Sequence, residues 1–410
     1  MSQSQKSCRA CGGTSLKLVI SLGETPLANA LLTKNQLDAV EPTFPLDLVF
    51  CQDCTLVQIT ETVTPDTLFR EYPYFSSFSD TMLIHAKTLV SRMIRERGLE
   101  STSQVIEIAS NDGYLLQYYK AREIPVLGIE PAANVAAVAE RERGIETLVE
   151  FFGLALGERL GQEGRRADVL HAHNVFAHVP DPGDFTRGLK QVLKPAGVAI
   201  IEAPYVKDLI CGNEFDTIYH EHFSYYSLTA VERLMRCHGL AVVDVEHVPI
   251  HGGSLRYVIG HSEQIPSLRV LELLTKEQSW GVNTFAFYED FAERVWRLRD
   301  HLLSLLHQLK ADGKRLAAYG ASAKGSTLLN AFGIGSDLID FVADRSTEKQ
   351  GRYTPGTCLE VLAPDALLAR SPDYVLLLTW NFADEILEQQ KPYRQAGGRF
   401  IIPIPDLRVV

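Results

Sequence analysis

The chain has 410 residues with 46% hydrophobic composition, more than one core usually organises, so two or three domains are expected. No apolar run approaches the roughly 20 residues of a membrane helix, and the polar start Met1-Ser-Gln-Ser-Gln-Lys6 lacks a signal-peptide pattern, so a cytoplasmic protein with no membrane partner is expected. A formal net charge of -11 argues against a nucleic-acid partner, while a local basic pocket for one small anion is compatible with it.

Seven cysteines are an odd number, and four fall in two tight pairs, Cys8-Arg-Ala-Cys11 and Cys51-Gln-Asp-Cys54. That suits a metal in a reducing compartment better than a disulfide framework. One such pair alone is open to a redox reading or to chance. Two pairs flanking one small block supply the four thiolates of a closed, structural Zn2+ site with no catalytic role. The stretch between them is longer than in ordinary zinc ribbons, so a β-rich insert with runs such as Leu46-Asp-Leu-Val-Phe50 is expected there. Cys211, Cys237 and Cys358 read as ordinary thiols. The module is expected to span residues 1–66. An aromatic segment with Tyr72 and Tyr74 follows, and apolar positions at three- and four-residue steps predict a helix over 80–97.

From Gln104 to about Pro204, short apolar runs (Val105-Ile-Glu-Ile108, Pro125-Val-Leu-Gly-Ile129, Val169-Leu-His-Ala172, Val198-Ala-Ile-Ile201) alternate with helical segments, the rhythm of a parallel sheet. The first run feeds Ala109-Ser-Asn-Asp-Gly113, a turn of small and polar residues before a helix, where doubly wound sheets bind nucleotide-like ligands. Glu130, about 20 residues on at the end of the second strand, is placed to accept hydrogen bonds from a ribose diol. A nicotinamide-dependent oxidoreductase, the first alternative, would want G-x-G-x-x-G to admit a pyrophosphate. Ala109 and Asn111 occupy that register, so a ligand without phosphates fits better. The stretch from Glu107 to Gly113 resembles the first motif of class I methyltransferases, E-x-G-x-G-x-G, keeping only its last glycine. That resemblance implies S-adenosylmethionine as methyl donor, contacted by Glu107, Ala109, Asn111, Gly113, Glu130 and Asn174. Residues 168–181 read as the fourth strand and the loop facing the sulfonium. His171 and His173 are expected to be hydrogen-bonded strand residues, with Asn174 and His178 functional beyond the strand.

The densest titratable and aromatic cluster is Phe215-Asp-Thr-Ile-Tyr219-His-Glu-His222-Phe-Ser-Tyr-Tyr226. Its alternating polar groups are incompatible with a buried strand, and they must be solvated, paired or catalytic. Its H-E-H lacks the helical spacing of a zinc peptidase. A histidine of near-neutral pKa is the natural base for removing a proton beside a ketone, and a neighbouring tyrosine can stabilise the enolate oxygen; an exposed, hydrogen-bonded loop is the alternative. His251-Gly-Gly-Ser254-Leu-Arg256 reads as an anion-friendly turn or simply a hairpin. After an amphipathic pattern around 285–310, the rhythm returns in Arg315-Leu-Ala-Ala-Tyr319, Leu338-Ile-Asp-Phe-Val342, Tyr374-Val-Leu-Leu-Leu378 and Arg399-Phe-Ile-Ile402. Here Ser322, Lys324 and Gly325 lie in a strand–turn–helix loop suited to a pyrophosphate, with Trp380 and Asn381 after a later strand.

Taken together, the paired cysteine motifs, Tyr72-Pro-Tyr74, Tyr219-His-Glu-His222, His251-Gly-Gly-Ser-Leu-Arg256, Tyr319-Gly-Ala-Ser-Ala-Lys324-Gly325 and Thr379-Trp-Asn381 resemble the sugar-nucleotide C-methyltransferases of deoxysugar biosynthesis over nearly the whole chain. The resemblance implies an α/β protein with a small β-rich N-terminal zinc module, a central class I methyltransferase (Rossmann-like) domain over 67–285 carrying an acceptor-site insert, and a C-terminal Rossmann-like α/β domain over 286–410 holding a nucleotide-linked 4-keto-6-deoxysugar of the dTDP type. It implies methylation at carbon three with His222 as base, Tyr219 and Glu221 assisting, and Tyr72, Tyr74 and His178 lining the site. His251, Ser254, Arg256, Ser322, Lys324, Gly325, Trp380 and Asn381 would bind substrate. A monomer is expected. The second alternative is a non-catalytic zinc protein with a methyltransferase-like core.

Overall fold

The computed structural model describes residues 2–64, 68, 75–250 and 252–410. Near the N-terminus the strand Leu16–Pro26 pairs antiparallel with Thr43–Cys51, with Leu16 opposite Cys51. That register returns the second cysteine pair to the first, which is how a long insert keeps four thiols together. Val57–Ile59 extends the sheet, and Ser224–Tyr225, from far along the chain, adds its outer strand. So small a sheet cannot bury a core alone. Its apolar face, with Ile20, Leu48, Phe50 and Ile59, shares one core with the helix Phe291–Ala311 and the C-terminal sheet.

The central sheet has seven strands in the spatial order Leu240–Val248, Ser254–His261, Leu193–Pro204, Ala167–His173, Val105–Ile108, Val126–Ile129 and Thr147–Leu148. Ser254–His261 runs antiparallel to both neighbours, and the pairings from Leu193–Pro204 outward are parallel. This is the doubly wound arrangement of class I methyltransferases, with the order reversing between Val105–Ile108 and Ala167–His173, where such sheets open a cleft. The helix Asp80–Arg97 packs Met82, Ala86, Leu89 and Val90 on one face of this sheet. Its start is capped by Ser79, whose Oγ accepts the Met82 N–H at 3.3 Å, and it ends at Gly98 in the left-handed region.

The C-terminal sheet orders Val361–Leu362, Val342–Ala343, Leu316–Tyr319, Tyr374–Leu377 and Arg399–Ile402 in parallel, with Arg408–Val409 antiparallel at its edge. Of the run expected as a strand from Leu338, the second half joins the sheet: Asp340 N–H donates to Leu316 O, Phe341 O accepts from Ala318 N–H, and Val342 begins the strand proper. The Leu338 and Ile339 N–H groups bond back to Gly335 O, so these buried apolar residues form a turn. Among the described residues no helix is long and apolar enough to cross a membrane.

Candidate active site

The four cysteines of the paired motifs converge, with their Sγ atoms all within 4.8 Å of one another. Cys8 lies 3.4 Å from Cys54 and Cys11 lies 3.7 Å from Cys51, close to the roughly 3.8 Å edge of a tetrahedron with Zn–S of about 2.3 Å. Each knuckle is closed by its own backbone, Gly12 N–H to Cys8 O and Thr55 N–H to Cys51 O, both at 2.9 Å. The thiols fit a zinc ion with all four positions filled by protein, which makes it structural.

At the switch point of the central sheet, Ala109, Asn111 and Gly113 adopt φ of 53°, 50° and 78°. These are the three positions where the class I motif places glycine. The left-handed backbone is therefore retained although two of the glycines are not, and the strain of carrying a Cβ there is borne locally. Glu130 holds the loop, its Oε2 accepting Asn111 N–H at 3.0 Å and its Oε1 accepting Ala132 N–H at 2.9 Å. Each carboxylate oxygen keeps a second lone pair able to accept a further hydrogen bond. Burial pushes Glu130 above the ordinary carboxylate range, opposed by those two N–H groups. Glu107 lies beneath, and burial beside Asp112 and Glu130 holds its carboxyl well above that range. Asn111 Oδ1 accepts Ser76 N–H at 2.8 Å, docking the 3-10 turn Ser76–Phe78 beside the loop.

The cluster around Tyr219 runs contrary to the exposed-loop alternative: Asp216, His220, Glu221 and His222 are all buried. It lies between the N-terminal sheet, the central sheet's strand ends and the C-terminal unit. His222 Nδ1 lies 3.1 Å from Thr217 O, a carbonyl that can only accept, so Nδ1 carries the proton and Nε2 accepts from the Tyr219 hydroxyl at 2.9 Å. The His178 ring stands edge-on to His222 at 4.6 Å between centroids. Burial lowers His178 to about 4, against a raising hydrogen bond to the Glu221 backbone, so it is neutral near pH 7. Burial raises Glu221 to about 7, opposed by a hydrogen bond from Asn29 and by the charge of Lys349. His220 faces the other way, with Nε2 3.1 Å from Pro45 O.

In the C-terminal unit, Ser322 Oγ accepts Gly325 N–H at 3.1 Å and starts the helix Ala323–Phe332. Asp344 Oδ2 accepts Ala321 N–H at 2.7 Å, repeating the Glu130–Asn111 arrangement. Lys324 Nζ donates to Thr217 Oγ1 at 2.8 Å and stands 4.5 Å from the Trp380 ring centroid, while Trp380 Nε1 donates to Asp216 Oδ2 at 2.7 Å. Burial pushes Glu214 up to about 8 and Asp216 up to about 6, with Lys324 opposing both.

One cavity of about 610 Å³ joins these parts. It collects Ala109, Asn111, Glu130 and Asn174 from the central loops, His178, Tyr219 and His222 from the aromatic cluster, and Ser322, Lys324 and Asn381 from the C-terminal unit. Glu107, Gly113, Glu221, Gly325 and Trp380 stand behind its wall. Gly325 is required by packing, since a Cβ there would come within 2.9 Å of Gly320 O and of Leu378. Ser254 and Arg256 are not brought to it. The Ser254 hydroxyl donates to Ile250 O, and Arg256 sits between cross-strand partners Glu202 and Glu246, ion-paired with both. The segment is the hairpin alternative of the sequence. Tyr72, Tyr74 and His251 lie outside the described residues. Of the two strand histidines, His171 bonds Tyr119 and His173 at 2.8 and 2.9 Å, while His173 also lines the cavity. Asn29, Ser76 and Lys349 line it too, without having been foreseen. Treating Asp344 as a second strand-end acid would have pointed towards Lys349. Asn29 carries no such signal.

Three family models together span most of the chain: a domain described as zinc binding over 8–69, a methyltransferase domain over 82–245 and a C-methyltransferase C-terminal domain over 249–405. The C-methyltransferase NovU of Streptomyces niveus is 38% identical over 405 residues, covering 98% of this chain and 96% of that protein. A ubiquinone biosynthesis O-methyltransferase of Leptothrix cholodnii is 30% identical over 97 residues, covering 23% of this chain and 41% of that protein. Among solved structures, a SAM-dependent methyltransferase from Anabaena variabilis has a TM-score of 0.36 at 14% identity, covering 43% of this chain and 84% of that one.

Proposed function

The chain belongs to the S-adenosylmethionine-dependent C-methyltransferase family, and we propose that it methylates carbon three of a nucleotide-linked 4-keto-6-deoxysugar of the dTDP type through a base-generated enolate. The observation that carries this reading is one cavity lined by Ala109, Asn111 and Glu130, by Tyr219 and His222, and by Ser322 and Lys324. We read the chain accordingly as three modules, 1–66, 67–285 and 286–410.

When bound, S-adenosylmethionine supplies an electrophilic methyl group. Ala109, Asn111 and Glu130 would hold its nucleoside, with Asn174 near the sulfonium. Methylation at carbon needs a carbanion equivalent, so a base and an oxyanion donor must stand close together. His222 Nε2 takes the proton from carbon three. The Tyr219 hydroxyl, released from that nitrogen, donates to the ketone oxygen, where enolate charge develops. The Nδ1–H bond to Thr217 O keeps the ring oriented and supports the imidazolium. A neutral His178 beside it adds no opposing positive charge. Lys324, Ser322 and the start of the helix Ala323–Phe332 face the diphosphate, and Asn381 the nucleoside.

Incubation with the donor and a dTDP-4-keto-6-deoxysugar should add the mass of one methyl group, and His222→Ala should abolish this while donor affinity stays near wild type. Intact donor binding with no turnover of any 4-keto sugar nucleotide would sink the assignment. Near-normal turnover in His222→Ala would remove it as base.

A further inference from the structure

Asn29 reaches the acceptor cavity from the zinc-bearing part of the chain, beyond the end of the strand Leu16–Pro26. Its Nδ2 donates to Glu221 Oε1 at 2.7 Å. Glu221 is 4% exposed, and its other oxygen, Oε2, has no hydrogen-bond partner among the described residues. The groups around this carboxyl come from every side. Lys349, fixed by donating to Ala321 O at 2.8 Å, acts on it from the C-terminal unit. His178 bonds the Glu221 backbone from the central sheet's loop. Tyr219, His220 and His222 flank it on its own segment. Among the described residues, Asn29 makes the one hydrogen bond to the carboxyl itself.

We propose that Asn29 is a positioning residue for methyl transfer, its amide holding Glu221 as a carboxylate beside the Tyr219–His222 pair, which makes the zinc module a working part of the acceptor site. The inference rests on the proposed function, in which His222 becomes an imidazolium, a charge that a carboxylate on the adjacent residue, Glu221, would favour. The sign follows from the partners. Burial raises Glu221 to about 7, and the Asn29 bond is the larger of two groups acting against it. Without that bond Glu221 is pushed higher still, and the carboxylate form is present only above a higher pH.

The test uses the zinc-loaded full chain. Asn29→Ala should retain zinc content and donor affinity, yet move the acid limb of kcat/KM upward by about one pH unit, the size expected for losing one hydrogen bond to a carboxylate. The isosteric Asn29→Asp, which sets a second carboxyl against the first, should move it further. In a Glu221→Gln background, Asn29→Ala should leave the profile in place. A profile of Asn29→Ala that superimposes on wild type, or an equal displacement in the Glu221→Gln background, overturns the proposal. A second arm needs no turnover: the infrared carbonyl stretch of a protonated carboxyl, assigned by its loss in Glu221→Gln, should titrate about one pH unit higher in Asn29→Ala. An unchanged infrared titration with intact turnover rejects the role of Asn29 alone. Absent turnover with the shifted titration rejects the sugar-nucleotide reading and leaves the Asn29–Glu221 coupling standing.

Discussion

Placing glycine in the loop from Ala109 to Gly113 should be near neutral at one position and destabilising at another, two residues on. Ala109 and Asn111 both hold left-handed backbone, at φ of 53° and 50°. For alanine, that conformation costs about 1 kcal/mol or slightly more relative to glycine. Ala109→Gly removes the strain but enlarges the unfolded ensemble by about 0.4–1 kcal/mol, so the net change should stay within about 0.5 kcal/mol. Asn111 tolerates the left-handed region better, and its side chain has a partner, the buried Ser76 N–H at 2.8 Å. Asn111→Gly therefore gains little from strain relief. It loses a hydrogen bond with a net worth of about 1 kcal/mol and adds the glycine entropy, for a total near 2 kcal/mol. Ser76 and Met82 line the cavity beside Asn111, so loosening this segment should also weaken the donor product by about tenfold, the equivalent of about 1.4 kcal/mol. Thermal unfolding and calorimetric titration with S-adenosylhomocysteine measure both quantities. Equal behaviour of the two variants, or Ala109→Gly losing more than about 2 kcal/mol, would refute the assignment of strain to one position and docking to the other.

Zinc removal should abolish turnover as well as unfold the N-terminal sheet, because binding energies of about 10–16 kcal/mol for structural zinc exceed what so small a sheet can replace. The same sheet carries Ser224–Tyr225 beside His222. Chelation followed by a thiol titration and an activity assay checks this, and full turnover by zinc-free protein would contradict it. Lys324→Met should raise KM for the sugar nucleotide about 10–100-fold, as expected for losing a charge-assisted contact worth about 1.5–3 kcal/mol. Donor affinity should remain, and an unchanged KM would place the diphosphate elsewhere.

The shape of the loop from Ala109 to Gly113 was legible because its constraint is local. A strand followed by alternating small residues and an acid about 20 residues later encodes backbone shape, and the structure keeps that shape even where Ala109 and Asn111 replace glycine. The zinc site was legible for a similar reason, two knuckles each built within one turn. The Tyr219–His222 pair could be nominated from its composition, but its burial could not, since the groups that cover it come from remote segments. Arg256 shows the converse. Cationic type beside glycines suggested an anion contact, yet strand pairing places it opposite both Glu202 and Glu246, whose charges it satisfies.

What sequence reasoning could not supply is the mutual orientation of the two α/β units. Each announces its own strand-end loop, and an isolated loop of this kind binds one nucleotide-like ligand. Under the proposed function, methyl transfer requires the two loops to face each other across a gap of one sugar. That relation is set by packing between distant segments. The N-terminal sheet shares its core with Phe291–Ala311 and the C-terminal sheet, while accepting Ser224–Tyr225 from the central unit as a strand. The Lys324–Thr217 and Trp380–Asp216 bonds then tie the C-terminal loop to the turn that carries the Tyr219–His222 pair. The zinc-bearing part thus braces both α/β units and delivers Asn29 to the cavity where they meet. A chain with the same two loops but without this brace would keep both loop shapes and lose the cavity between them.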